Sequence, residues 1–447
     1  AAFRFTTEGL TKNYPKRAFT QQAFESDRHF LERLWRQEGM AWHFLFALDD
    51  DAPTHTLVLS DDNDAFKANP AGTVRYHRAD ATEKTDTIVA WQSWRELSVG
   101  ATQRDQHDYK STKVDQSTEP SVLNQGKVGD DLARTLVDYH YDAEHLGNDS
   151  GHQGQMSRCR IQAHEFASKG FRGESVVRQF ASGTRFTLSQ HHDVDTHSAE
   201  DREFTLTSLV VYARNNVRLD DRIGRSLFEG WQYHVPRDET DGGHNGSATD
   251  APVYYNRFEC VRSFVPVVPS FDPADVPDVR KITAVVVTEN DGELDVDEMG
   301  RVLVRFPFNH DEAQLQSYGA TTQLYNSARV RVMQASAHSG YGDTMWPRKD
   351  AEVIVVFLDG YPDKPIIIGA TYNGQHAPAT YAGRGALPAN APLTGLRTKE
   401  VAAERYSHLR FSDFTGQIGA QIATDHAATQ LNQGWLGTPH DNGQSKP

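Results

Sequence analysis

Strand signals dominate the alternation of apolar and polar positions in this chain. Over 328–332, Val330 and Val332 fall on one side and Arg329 and Arg331 on the other, the two-residue period of a strand with one wet face. Residues 339–350, SGYGDTMWPRKD, carry Gly340, Gly342 and Pro347, which interrupt regular structure. The run 352–358, EVIVVFL, is β-branched and aromatic and predicts a strand buried on both faces. Asp359-Gly360 predicts a tight turn flanked by Pro362 and Pro365, and a strand over 366–368 ends at Gly369. Upstream, 282–288 (ITAVVVT) reads as another strand. Residues 301–308 (RVLVRFPF) set Arg301, Leu303 and Arg305 opposite Val302, Val304 and Phe306. Together these make about five short strands, the count of a small oligonucleotide/oligosaccharide-binding (OB) type barrel.

The N-terminal part mixes both periods. Ser26 is placed to cap a helix, Asp27 suits its first turn and Gly39 its end. Between them Phe30 with Leu34, and Leu31 with Trp35, predict one apolar helix face, and Trp42, Phe44 and Phe46 then alternate as a strand. Further strands are expected over 91–94, 139–141, 157–167 (with Cys159, Ile161 and Ala163 on one side), 171–175, 182–188, 204–213 and 254–264. Residues 102–131 are polar and turn-rich and read as a long connecting segment or an excursion, and 237–250 as a mobile surface loop.

Prolines at 266, 269, 273 and 277 predict a stiff connector, and a second Pro- and Gly-rich stretch precedes the C-terminal repeats. The expected order is a first domain over 1–265, a linker over 266–280 and the barrel over 281–374. A second linker follows over 375–405, and a region of short repeated strands over 406–447. The strands of that last region alternate imperfectly and are punctuated by Gly, so one chain cannot bury a core with them; three chains winding together can.

Composition narrows the chemistry. A formal charge of −15 disfavours nucleic acid and anionic membranes. The barrel arginines 301, 305, 329, 331 and 348, with Lys349, sit beside Asp291, Glu293, Asp295, Asp297 and Glu298, so no basic groove is expected. Only Cys159 and Cys260 occur, too few for a disulfide framework. Apolar runs fall short of the ~20 residues of a membrane span. Residues 1–10 show no basic stretch followed by an apolar one, so no signal peptide is expected. His191, His192, Asp193, Asp195 and His197 have the composition of a zinc site, but a polar loop is the expected reading. The acidic runs 49–51 and 61–64 lack the spacing of a calcium loop and read as solvated turns. Asp343, Asp350 and Glu352 are the candidates for a paired-carboxylate hydrolase, with no nucleophile motif to accompany them. The expectation is no catalytic residue, no metal and no cofactor.

The ordered string FLDG-x-PD-x-P-I-I-x-G at 357–369, with Arg329–Val332 before it and Tyr372-Asn373 after, resembles the barrel of the VgrG family, the spikes of bacterial type VI secretion systems. So do DEMGRVLVRFPF at 297–308, the helix that ends at Glu38-Gly39 before an aromatic strand, and F-x-G-x-S at 171–175. The strand ending in A-x-N-N at 213–216, G-x-L-P-x-N at 385–390, and L-R-F-x-D with T-Q-L-N at 409–432 add to it, although Gln433 stands where an apolar residue is usual. The resemblance implies a mainly β fold with a minor α+β part: a phage-hub-like region, an OB-fold barrel, and the start of an intertwined trimeric β-helix or β-prism. It implies a homotrimer that caps an Hcp-like tube, carries a PAAR-type tip protein and effectors or adaptors, and punctures membranes when a sheath contracts. Nucleic acid is not among the implied partners. Such a protein is assembled in the cytoplasm and leaves through the secretion machine. The hub or spike of a phage tail, or of an extracellular contractile injection particle, is the neighbouring reading. Relative to whole members, a first hub barrel is expected before residue 1 and most of the needle after 447. Residues 375–405 are too few for an inserted lysozyme domain.

Overall fold

A computed structural model describes residues 4–49, 52–77, 85–144, 147, 149–213, 254–289, 292–307, 327–381 and 386–435. The polar loop at 237–250, Asp50, Asp51 and Asp291 lie outside the described residues. The chain divides into two compact units, one of residues 1–18 and 25–276, the other of 19–24 and 277–447.

The first unit opens with β1 (Arg4–Gly9), α1 (Asp27–Glu38), β2 (Ala41–Asp49), β3 (Ala52–Ser60) and β4 (Lys67–Arg75). It continues with β5 (Ile88–Arg95), β6 (Ala101–Asp108), β7 (Lys113–Pro120), α2 (Gly126–Ala133), β8 (Val137–Tyr141) and α3 (Ser150–Ser168). It ends with β9 (Lys169–Ser175), β10 (Thr184–Ser189), β11 (Glu203–Ala213) and β12 (Tyr254–Arg262). These form three sheets, ordered β1-β3-β2, β7-β6-β8 and β4-β10-β11-β12-β9-β5. The largest carries an aromatic core in which Phe171 and Phe204 meet edge to face at 5.0 Å and Trp91 approaches Phe204 at 4.9 Å. Gly173 is required here, because a Cβ on it would lie 2.3 Å from the Phe258 ring.

The caps read from the sequence are in place. Ser26 accepts from the His29 amide, and Gly39 takes a left-handed φ of 72°. The apolar face of α1 is not the buried one: Leu31 is exposed, whereas Arg33, Gln37 and Glu38 are buried. They are tolerated inside because Arg33 pairs with Glu25, and Glu38 with Arg17 and His152.

Two expectations fail in this unit. Residues 157–167 are helix, not strand, and lie within α3, capped by Asp149. Packing against β6 and β7 and also against α1 buries α3 on more than one side. Ile161 is therefore buried along with Met156, Cys159 and Ala163, which mimics a two-residue period. Residues 102–131 are not a connector but hold β6, β7 and α2. Period analysis missed β6 because its buried positions are polar: Thr102, Arg104, Asp105 and Gln106. Among them Thr102 donates to Ser157 O at 3.1 Å, and the Gln106 amide exchanges bonds with Gly147 at 2.7 and 3.1 Å.

The second unit holds β13 (Ile282–Val287), β14 (Arg301–Arg305), β15 (Ser327–Val332), β16 (Ala337–His338), β17 (Tyr341–Gly342), β18 (Glu352–Phe357) and β19 (Pro365–Thr371). It ends with β20 (Leu393–Lys399), β21 (Tyr406–Ser412), β22 (Gly419–Thr424) and β23 (Thr429–Gly434). Strands β13-β14-β15-β19-β18 close into a barrel. Its core of Val302, Val304, Val330, Val353 and Val355 is completed by Ala23, and Phe19 approaches Phe306 at 6.3 Å. The Gln21 amide donates to Asp363 at 2.8 Å, fixing the 19–24 segment to the barrel.

β18 alternates rather than being buried on both faces, with Val353, Val355 and Phe357 inward and Ile354 and Val356 only half-buried. β19 does not stop at Gly369. The break foreseen there is a bulge, since Ile354 pairs with Gly369 and Val355 with Ile367, leaving Ile368 unmatched. β20 falls inside the stretch read as the second linker and joins the sheet β20-β21-β22-β23. The Pro-rich stretch 266–280 holds only a 3-10 turn, Pro273–Asp275.

Candidate assembly surface

The histidine cluster is built into the hub by hydrogen bonds that use the ring nitrogens. His191 Nδ1 accepts from the amides of Asp193 and Val194, both at 3.3 Å, while its ring stacks on His192 at 4.6 Å and meets Tyr76 at 4.9 Å. Burial and then the neighbouring His192 lower its pKa. His197 Nδ1 faces the Arg262 guanidinium at 3.0 Å, and its carbonyl accepts from Arg202. Asp195 reaches Arg202 at 3.9 Å. The loop is a strut around two arginines. Among the described residues no three His, Cys, Asp or Glu side chains are placed to hold a metal.

The acidic run at 61–64 is likewise occupied. Asp61 accepts from the amides of Thr11 and Lys12, both at 2.8 Å, and from the Tyr14 hydroxyl at 2.7 Å. Burial raises its carboxyl, but these bonds outweigh burial and hold it below the usual carboxylate range. Asn63 donates to the carbonyls of Ser263 and Val265.

The three hydrolase candidates do not converge on a pocket. Asp343 and Asp350 are exposed, and Glu352 accepts from Asn373 at 3.0 Å. A small cavity lies in the first unit instead, about 10 Å³ and lined by Arg36, Gln37, Arg104, Cys159 and Arg160 among others. That is room for one water, not a substrate. Three of the barrel arginines are paired: Arg301 with Asp297 at 2.6 Å, Arg329 with Asp295 at 2.7 Å, and Arg348 with Glu293 at 2.8 Å. Cys159 and Cys260 are free thiols, both buried.

Polar groups that sequence reasoning missed cluster around α3. Arg104 Nε donates to Asp142 Oδ2 at 2.8 Å with both side chains buried. His164 lies 2.8 Å from Asp138, which Arg160 also contacts. The hydrogen bond to His164 leads in driving the Asp138 carboxyl well below its usual range. No sequence signal marks these pairs, because each joins α3 or β6 to β8 or to Asp142 just after it, across tens of residues.

The C-terminal sheet presents a different kind of surface. Paired residues in adjacent antiparallel strands share a face. The registers align Leu396 with Leu409, Leu409 with Ile422, and Ile422 with Leu431. One apolar row therefore crosses all four strands, and the next level of the same face carries Phe411 and Ala420. This row is the exposed side: Leu396, Leu409, Ile422 and Leu431 are 45, 38, 57 and 67% exposed. The opposite face is buried and polar. His408 meets Gln421 Oε1 at 2.9 Å, and Gln421 Nε2 donates to Asn432 at 2.7 Å and to Gln430 at 3.0 Å. The Arg397 guanidinium lies 3.8 Å over the Tyr406 ring. The sheet is inside out for a single chain.

Three family models match along the chain: the phage tail baseplate hub over 1–217, the type VI secretion system/phage-baseplate injector OB domain over 283–372, and the putative type VI secretion system Rhs element Vgr over 399–447. Similar proteins include the type VI secretion system spike proteins VgrG2a and VgrG1a of Pseudomonas aeruginosa. VgrG2a is 26% identical over 434 residues, which cover 96% of this chain and 45% of that protein. VgrG1a is 27% identical over 419 residues, covering 92% of this chain and 56% of that protein. A protein named actin cross-linking toxin VgrG1, from Vibrio cholerae, is 27% identical over 413 residues, covering 91% of this chain and 32% of that protein. The chain thus spans about half the length of the spike proteins it matches.

Proposed function

We propose that this chain, which belongs to the VgrG family of type VI secretion spike proteins, is the body of a homotrimeric spike that works by stiffness rather than by catalysis. The observation that carries the reading is the bare apolar row Leu396–Leu409–Ile422–Leu431 beside a buried polar face. A single chain leaves that row in water, and burying apolar area is the dominant drive to association. Three copies around one axis cover it and remove the open sheet edges. The hub unit caps an Hcp-like tube, a PAAR-type tip protein and effectors or their adaptors ride on the spike, and sheath contraction drives the assembly out of the cytoplasm through the type VI machine. The carboxylates engaged in ion pairs support a structural role for these residues. The phage tail hub keeps the same architecture, and the baseplate-hub match over 1–217 favours it as second reading.

The test is the mass in solution by light scattering at micromolar concentration. The expected value is three times 50.1 kDa. A stable monomer that leaves the row exposed sinks the proposal. Binding of a ring-forming tube protein from the same secretion locus, against that of a phage tail tube, separates the two readings.

A further inference from the structure

The small cavity of the first unit has no acidic side chain among its described wall residues. Arg36 and Gln37 of α1, Arg104 of β6, and Cys159 and Arg160 of α3 line it, together with Phe271 from the Pro-rich stretch. Two of the three guanidiniums are neutralised by carboxylates of their own. Arg104 Nε donates to Asp142 at 2.8 Å, and Arg160 donates through Nη2 to Asp138 at 3.1 Å and through Nη1 to Phe271 O at 3.2 Å. Arg36 is held loosely. Its carboxylates stand off at 3.6 Å (Asp275) and 3.8 Å (Glu32), too far for a normal hydrogen bond, and Arg28 already donates to Glu32 at 2.8 Å. Glu38, the next residue along, is taken by Arg17 and His152. Lys12 Nζ, 3.8 Å from Cys159 Sγ, adds a further cation behind the wall.

The hydrogen-bonding capacity left over has one sense. Arg36 Nε and Gln37 Nε2 are buried with no partner among the described residues, and both are donors only. The one side-chain oxygen among the described wall residues, Gln37 Oε1, accepts from Arg17 at 3.1 Å. A water can accept from the two donors, but its own hydrogens then need acceptors, whereas an anion needs only to accept. The last carbonyls of α1 do not oppose a negative charge. The Gly39 and Met40 amides cover Arg36 O and Trp35 O, and the Cys159 thiol donates to Glu38 O at 3.5 Å.

We propose that this cavity is a binding site for one monatomic, monovalent anion of the size of chloride, which accepts from Arg36 Nε and Gln37 Nε2 and completes the neutralisation of the arginines. At about 10 Å³ the cavity takes one water-sized body, which admits a halide and rejects a polyatomic anion. Bound there, the ion ties the Pro-rich stretch at Phe271 to α1 and α3. The first unit is therefore firmer in chloride than without it.

Salt exchange on the whole 447-residue chain tests the site. Thermal midpoints are compared in sodium chloride and in sodium methanesulfonate at one ionic strength, the second anion being too large for the cavity. With chloride about tenfold above its dissociation constant, the midpoint should stand about 3 °C higher than in methanesulfonate. Gln37→Glu keeps the side-chain shape and the acceptor for Arg17 but exchanges the donor for a carboxylate. Arg36→Met removes the loosely held charge, and either substitution should erase the difference between the salts. Crystals soaked in sodium bromide should show an anomalous peak in the cavity. Equal midpoints in the two salts, with no bromide peak there, mean that the cavity holds water and overturn the site. A chloride effect that survives both substitutions places the ion elsewhere and overturns it as well. A bromide peak without any shift in midpoint is an adventitious ion only, and counts the same way.

Discussion

Leu409→Glu is the sharpest perturbation of the inside-out sheet. Leu409 sits in the middle of the bare row, between Leu396 and Ile422. Full burial of such a side chain is worth about 2 kcal/mol, so the half that the single chain leaves exposed carries about 1 kcal/mol. Row residues and Phe411 together then hold on the order of 5 kcal/mol per chain and 15 per trimer. Each of the two associations that make a trimer costs on the order of 4–15 kcal/mol, so the row is needed for a stable trimer but leaves little or no surplus. Glutamate at 409 removes the Leu contribution and places three carboxylates at one level around the axis. Each carries a desolvation cost of several kcal/mol, and like charges at close range add to it. The variant should be a monomer at micromolar concentration by light scattering. Its far-ultraviolet circular dichroism should be unchanged, because the substituted side chain points to water in the single chain. Leu409→Ile should remain a trimer. A Leu409→Glu protein that still sediments at three times the chain mass refutes the assignment of this face to assembly.

Other outcomes follow from the same physics. Arg104→Met leaves Asp142 charged and buried without its partner, which should cost about 3–5 kcal/mol in urea unfolding, whereas Arg104→Met with Asp142→Leu should recover most of it. Ala23→Asp puts a carboxylate into the barrel core and should cost several kcal/mol, read by chemical denaturation; no loss would mean that the 19–24 segment does not complete the barrel. The hydrogen bond from His164 holds the Asp138 carboxyl well below the ordinary carboxylate range in the folded chain, so its ion-paired stabilisation is present above that range and is lost as the pH falls through it. The gap in thermal midpoint between wild type and Asp138→Asn should therefore narrow below about pH 4. The Ala402 amide bond, followed by Arg348, draws the Glu293 carboxyl down to about 2, and Glu293→Gln should speed hydrogen exchange at the Ala402 amide.

The barrel was the most legible part of the chain. Its strands alternate because one face packs on Val302, Val330 and Val353 and the other meets water, and its turns carry Gly and Pro where the backbone demands them. The caps of α1 were legible for the same local reason. What escaped was set by distant partners. β6 buries Arg104 and Gln106 because Asp142 and Gly147 arrive from 38 and 41 residues away, a fact no window of sequence contains. α3 looked like a strand because packing on two sides buried Ile161 as well as Cys159 and Ala163. The histidine cluster has the composition of a metal site, and only the direction of its ring nitrogens, taken up by backbone amides and Arg262, shows a strut.

The alternation of β21 was visible in the sequence, but its sense was not. Period two gives two faces and does not say which one the chain itself covers. In the barrel the apolar face points inward, and in the C-terminal sheet it points out. The inversion is stable in one chain because the inward polar groups find each other, His408 with Gln421 and Gln421 with Gln430 and Asn432. A sheet whose inward His408, Gln421, Gln430 and Asn432 bond one another keeps its strands in register within one chain, while the apolar row stays in water. The two faces thus divide the work. The polar ladder fixes the register of the strands, and on the trimeric reading the row, once covered, fixes the copies to one another. On that reading stiffness comes from the same residues that make the single chain look unfinished.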